Sequence, residues 1–253
     1  MALKRIIPCL LLRDHGLVKT VKFNKSTYIG DPINAVKIFN EKEVDELVFL
    51  DIDASRKNME PPYQVIRDIA TECFMPFCYG GGIKSIDQIR EIIASGAEKV
   101  AINTAAYYTP ELIHEAAEIF GSSTIVVSID YKKNLFGKEQ VFVKGGNKNT
   151  KKDPVSYAIE MEELGAGELF INSIERDGMM TGYDLEMVER ITESVSIPVI
   201  ACGGASSLDD FNAVFTKAGA SAAAAGSIFV FQSKKKGVLI SYPSPLEVKD
   251  IIS

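Results

Sequence analysis

Shifted by about 122 residues, the chain lies over itself. Asp31-Pro32 falls on Asp153-Pro154, Glu46-Leu47 on Glu168-Leu169, and Pro76 with Gly81-Gly82 on Pro198 with Gly203-Gly204. Ser85-Ile86-Asp87 falls on Ser207-Leu208-Asp209, and Gly96-Ala97 on Gly219-Ala220 one residue out of step. A repeat this long implies two structurally similar halves, about 1–122 and 123–253. Within it, eight short apolar runs (5–12, 46–51, 76–79, 99–102, 124–129, 168–172, 198–201 and 222–225) alternate with amphipathic stretches of helical period. The runs are continuous rather than alternating, as in strands covered on both faces. Helix-start signals stand before several of the amphipathic stretches: Asp31-Pro32, Ser85 with Gln88, Thr109-Pro110, Asp153-Pro154 and Ser207 with Asp210. Eight such units fit a closed barrel or an open doubly wound sheet. An open sheet has no reason to repeat in halves, so the expectation is one (β/α)8 TIM barrel spanning 1–253, built as two half-barrels.

Charge and cysteine usage narrow the function. The formal net charge of −6 makes a nucleic-acid partner unexpected. Cys9, Cys73, Cys78 and Cys202 form no C-x-x-C pair and there are only two histidines, so no metal site is expected. The chain shows neither a signal-peptide pattern nor an apolar run long enough for a membrane span, which points to the cytoplasm. The departure from regular βα alternation is 132–152, polar and glycine-containing, expected as a hairpin over the barrel mouth.

Barrel active sites lie at the C-terminal ends of the strands. There the sequence places Gly80-Gly81-Gly82-Ile83 and Asn103-Thr104 in one half, and Gly203-Gly204-Ala205 and Gly226-Ser227 in the other. Glycines let backbone N–H groups approach an anion, so two symmetric sets suggest a ligand phosphorylated at both ends. Strand five ends in Asp130, a candidate general acid or base. By the repeat, its counterpart on strand one is Leu11, which cannot transfer a proton; Asp51 and Asp53 are the nearest acids. At the opposite end, Arg5, Glu46, Lys99 and Glu168 each precede or open a strand, and facing inward they would close the floor with two cations and two anions.

The chain resembles the cyclase subunit of imidazole glycerol phosphate synthase, from Lys4-Arg5-Ile6-Ile7 to about Phe231. The likeness is carried by Asp45-Glu46-Leu47-Val48-Phe49-Leu50-Asp51, Gly80-Gly81-Gly82-Ile83, Lys99-Val100-Ala101-Ile102-Asn103-Thr104-Ala105 and Lys148-Asn149-Thr150. It continues in Ser173-Ile174-Glu175-Arg176-Asp177-Gly178, Gly182-Tyr183-Asp184 and Gly203-Gly204-Ala205. The resemblance implies a lyase subunit of a glutamine amidotransferase complex in histidine biosynthesis, with no cofactor. By the same resemblance, a class I glutaminase is expected to dock beneath the barrel, ammonia to pass the floor, and a phosphorylated small molecule to react at the mouth. It implies an ammonia gate at Arg5, Glu46, Lys99 and Glu168, one phosphate grip at Gly82, Asn103 and Thr104, and another at Asp177, Gly178, Gly204, Gly226 and Ser227. Lys19 matches a substrate-loop lysine and Asp130 a catalytic aspartate, with Asp51 and Asn172 also facing substrate.

Departures from the family pattern cluster at the chemistry. The second catalytic aspartate is Leu11, the first loop reads Arg13-Asp14-His15-Gly16, and Thr20 stands where a glycine is usual. Asp53, Asn172, Met179 and Val230 also differ. The pattern resembles a paralogous branch linked to glycosyl amidation in surface-polysaccharide (lipopolysaccharide O-antigen) pathways. There, the barrel and its glutaminase supply ammonia to a separate sugar amidotransferase that turns an acetamido into an acetamidino group. The alternatives are an authentic histidine-pathway cyclase, the related two-phosphate isomerase of that pathway, and a non-catalytic scaffold with vestigial phosphate rims.

Overall fold

A computed structural model of the chain describes residues 4–232 and 237–252. Eight strands form the barrel: β1 (Arg5–Arg13), β2 (Leu47–Asp51), β3 (Phe77–Gly80), β4 (Lys99–Ile102), β5 (Ile125–Lys133), β6 (Glu168–Ser173), β7 (Val199–Cys202) and β8 (Ala222–Ala225). Each is parallel to the next, and β8 returns to β1 through Arg5↔Ala222 to Pro8↔Ala225, closing the barrel. The open-sheet alternative is thereby excluded.

Successive side chains alternate between the two faces of the wall. Ile6, Leu10 and Leu12 of β1 join the core between barrel and helices. Ile7, Cys9 and Leu11 of the same strand point inward, meeting Val48, Cys78, Ala101, Val126, Phe170, Ile200, Ala222 and Ala224. Both faces are dry, which is why the strands read as unbroken apolar runs. β8 consists of four alanines, all buried, so one wall of the interior carries only methyl groups.

Helices Pro32–Glu41 and Pro154–Glu163 are ten residues each, start on proline, and are capped by Asp31 and Asp153, whose carboxylates accept backbone N–H groups of the first turn. Ser85 caps Ile86–Ala94, and Ser207 with Asp210 forms a reciprocal capping box on Leu208–Thr216. Thr109 differs from expectation. Its N–H donates to Ala105 O, closing the short helix Thr104–Tyr108, and Pro110 takes the cap position of Glu111–Phe120 without a side-chain bond.

The first βα loop folds into an antiparallel pair, Gly16–Thr20 with Ser26–Gly30, continuing from β1. β5 runs on past the barrel wall and pairs with Glu139–Val143, which pairs with Lys148–Asn149, forming the anticipated hairpin. A final helix, Pro245–Ile252, packs against Leu208–Thr216. Beside it, the Tyr242 hydroxyl donates to Ile6 O at 2.9 Å. Among the described residues no helix is long and apolar enough to cross a membrane.

Candidate functional site

The strand C-termini surround a cavity open to solvent and lined by residues of both halves. Asp130, Leu11, Lys19, Asp51, Gly82, Asn103, Thr104, Asn172, Asp177, Gly178, Gly204, Gly226 and Ser227 all line it. Asp130 is the last inward residue of β5 and is buried. The Asn103 amide donates to Asp130 Oδ2 at 3.3 Å and to Ser128 O at 2.9 Å. Burial pushes the Asp130 carboxyl up to about 7; the Asn172 amide opposes this and the nearby Asp177 charge adds to it. Such a group can hold or release a proton near neutral pH.

The repeat makes the missing acid visible in the register. Asp130 lies opposite Asn172 on β6. In the other half the corresponding residues are Leu11 and Leu50, opposite each other on β1 and β2. One wall of the mouth therefore carries a carboxyl and an amide, and the other two isobutyl groups.

The two nearby aspartates are placed differently: Asp51 lines the cavity and Asp53 does not. Asp51 Oδ1 accepts the N–H groups of Asp53 and Ala54, both at 3.0 Å, and so builds the turn after β2. Burial raises its pKa. Asp53 is absent from the cavity wall. Its carboxylate pairs with Arg13 at 3.2 Å and Lys57 at 2.7 Å, and these cations outweigh burial and lower its pKa.

Lys19 spans the mouth from the first loop. Its Nζ meets Asp177 Oδ1 at 2.6 Å, while the Thr20 hydroxyl donates to Asp177 Oδ2 at 2.6 Å. Thr20, visible in the sequence only as a departure from glycine, is thus half of a latch between the loops after β1 and β6. Gly178 is required there, because a Cβ on it would meet Thr20 O at 2.2 Å. Gly204 has φ +113°, and a Cβ would meet Gly182 O at 2.1 Å.

At the glycine-rich rim of the first half, the Gly82 N–H donates to Ser55 Oγ at 3.3 Å and Thr104 Oγ accepts from the Lys144 N–H at 3.1 Å. In the other, Ser227 Oγ is buried with no hydrogen-bond partner among the described residues. Asn172 Oδ1 is likewise unpartnered. A buried unpaired polar atom is costly, so these two atoms mark where a polar ligand would be welcome. Sequence reasoning missed Ser55 and Arg56, which line the cavity from the short helix Ala54–Lys57. Nothing in their local pattern distinguished them from ordinary helix residues.

At the opposite end, Arg5, Glu46, Lys99 and Glu168 form a closed ring. Arg5 bonds both glutamates, and Lys99 Nζ lies 3.0 Å from Glu46 Oε1 and 2.8 Å from Glu168 Oε2. The glutamate side chains are 4% and 5% exposed, the cations 22% and 21%. Desolvation lowers the pKa of Lys99, but the two carboxylates outweigh it and the net shift is upward; the same holds for Arg5. Among the described residues, no group of three His, Cys, Asp or Glu side chains is placed to hold a metal ion.

Residues 5–235 match the family described as "Histidine biosynthesis protein". A Pseudomonas aeruginosa protein, provisionally named imidazole glycerol phosphate synthase subunit hisF2, is 54% identical over 96% of this chain and 97% of its own length. A Vibrio vulnificus protein, provisionally named subunit hisF3, is 49% identical over 98% of this chain and 96% of its own. The chain belongs to the HisF-type family of imidazole glycerol phosphate synthase subunits. Imidazole glycerol phosphate synthase subunit HisF of Lactococcus lactis subsp. cremoris is 44% identical to this HisF-type barrel over the full length of both.

Proposed function

We propose that this HisF-type barrel conducts ammonia from a class I glutaminase docked at the charged ring to its mouth, and hands it to a separate sugar amidotransferase. The amidotransferase converts an acetamido to an acetamidino sugar in surface-polysaccharide synthesis. The observation that carries this reading is the Leu11–Leu50 wall set beside an intact ring of Arg5, Glu46, Lys99 and Glu168. Ammonia is small and uncharged, and an apolar wall does not obstruct it. Ring closure of a bisphosphate needs protons moved on two sides of the substrate, and here Leu11 stands where the family resemblance places the second catalytic aspartate. Asp130, Lys19, Asp51, Asn172 and the two glycine-rich grips remain as a site for a phosphorylated ligand.

A second reading has its own support: full-length 44% identity to a HisF subunit and an Asp130 carboxyl titrating near 7 favour an authentic cyclase of histidine biosynthesis. The two readings separate in one assay. With ammonium salts and the bisphosphate substrate, wild type should turn over near background, because a placed acid–base group contributes about 10²–10⁴-fold. Leu11→Asp should raise the rate. Wild-type turnover at an ordinary enzymatic rate, about 1–10³ s⁻¹, would reject the conduction reading in favour of the cyclase.

A further inference from the structure

β5 extends from the barrel wall through Asp130 into the hairpin over the mouth without interruption. Residues 132–152 contain seven lysines and a single acid, Glu139, a net charge of +6 in a chain whose total is −6. Lys152 is paired with Glu160, whereas Lys133, Lys138, Lys148 and Lys151 are exposed. At the tip, Leu135 and Phe136 are 101% and 94% exposed. They are held in that position: Asn134 Oδ1 accepts the N–H groups of Phe136 and Lys138 at 2.9 and 3.0 Å, and its amide donates to Gln140 at 2.9 Å. Around the same mouth, Tyr28, Met59, Tyr108 and Met179 stand exposed on the loops after β1, β2, β4 and β6. Five loops thus present apolar side chains on one end of the barrel, edged on one side by lysines.

We infer that this end is the docking face for the ammonia acceptor, a protein with an acidic rim around an apolar hollow that receives Leu135 and Phe136. The inference rests on the conduction reading and adds to it where and how the acceptor binds. Charge selects the occupant. A two-fold contact between copies of this chain that set hairpin against hairpin would bring like charges together, which repulsion disfavours. The glutaminase is assigned to the opposite end by the ring. An acceptor seated on the hairpin covers the cavity from which ammonia emerges, so transfer would occur without release to solvent.

The test uses the full chain in complex with a class I glutaminase, and as probe a purified amidotransferase that converts an acetamido to an acetamidino sugar. Leu135→Asp with Phe136→Asp should weaken amidotransferase binding roughly 30-fold or more, as expected for central apolar anchors. Lys133→Glu with Lys138→Glu should slow association and flatten its salt dependence. Both variants should keep wild-type glutaminase binding and glutamine hydrolysis but lose glutamine-driven amidation. Phe74→Asp, a control at the far end, should leave amidotransferase binding unchanged. Hairpin variants that bind the amidotransferase as tightly as wild type overturn the docking face while leaving ammonia conduction intact. Hairpin-dependent binding to phosphatidylglycerol vesicles, with amidotransferase binding unaffected, overturns it in favour of a membrane surface. A wild-type complex that ignores the amidotransferase yet turns over the bisphosphate with glutamine rejects the conduction reading itself, and the docking face with it.

Discussion

Replacing Lys99 with methionine isolates the energetics of the floor. Methionine keeps most of the lysine stem, so the packing around it changes little and the charge is what is lost. Two carboxylates, 4% and 5% exposed, would then share Arg5 alone. Removing one partner from a buried pair typically costs about 3–5 kcal/mol, because the surviving charge stays desolvated. Lys99 is 21% exposed, so water can reach the vacated position, and about 3 kcal/mol is the expected loss. For a chain of this size that corresponds to a fall in Tm of roughly 6–12 °C. Lys99→Met with Glu168→Gln should recover part of the loss, since the ring is again balanced with one cation and one anion. Calorimetry of the four proteins completes the double-mutant cycle. The wild-type pH dependence supplies a second check. Lys99 has a raised pKa in the folded protein. Its contribution to stability is therefore full below its unfolded value, about 10.4, and disappears only as pH rises through the higher folded value. A Lys99→Met protein that melts with wild type, or a cycle with no coupling, would show that the ring is solvated and not a buried charge network.

Asp130 has the same sign of pH dependence as Lys99, but in the acid range. Its folded pKa, raised to about 7, exceeds the unfolded value, so its protonated form favours the folded state at acidic pH and this advantage is lost as pH rises towards 7. Asp130→Asn should remove that loss, gaining stability relative to wild type by up to about 4 kcal/mol between pH 4 and pH 8 in denaturant titrations. Parallel pH profiles for the two proteins would reject the assignment. The Lys19–Asp177–Thr20 latch predicts that Asp177→Asn loosens the first-loop hairpin. Hydrogen exchange across Gly16–Thr20 and Ser26–Gly30 should accelerate about tenfold or more, the equivalent of losing a charge-assisted bond, while the barrel strands are unchanged. Unaltered exchange there would mean that strand pairing alone holds the loop.

The parts of this molecule legible in sequence are those in which each residue answers to its immediate neighbours or to the repeat. Asp31 and Asp153 before proline, and Ser85 and Ser207 three residues before a capping partner, announce helix starts because the bonds they make are local. The eight apolar runs announce strands because both faces of the wall are dry. The first-loop hairpin escaped detection. Gly16–Thr20 and Ser26–Gly30 are stabilised by pairing with β1 and by the latch to Asp177, about 157 residues away, and neither contact leaves a local period. The final helix Pro245–Ile252 was overlooked for a similar reason, since its support comes from packing against Leu208–Thr216. At the site, the positions of Asp130 and Leu11 follow from strand ends plus the repeat. What the sequence left open was whether Asp53 could replace the missing acid, because the answer depends on Arg13 and Lys57, which only the fold brings to it.

The distribution of change across the two halves carries the functional argument further than any single residue. Both halves keep glycine-rich turns at their mouths and both contribute a glutamate to the floor. They differ where β1 faces β2 and β5 faces β6. A carboxyl and an amide opposite each other can orient a polar reactant and move its protons; two leucines opposite each other can only exclude water. On the conduction reading, an apolar wall beside the intact ring leaves what passing an uncharged molecule requires. On the same reading, it lacks one of the polar groups that cyclising a charged molecule would use. Four charges at the floor, two of them almost wholly buried, are tolerable only while all four are present, and each is costly to keep unless its partners stay.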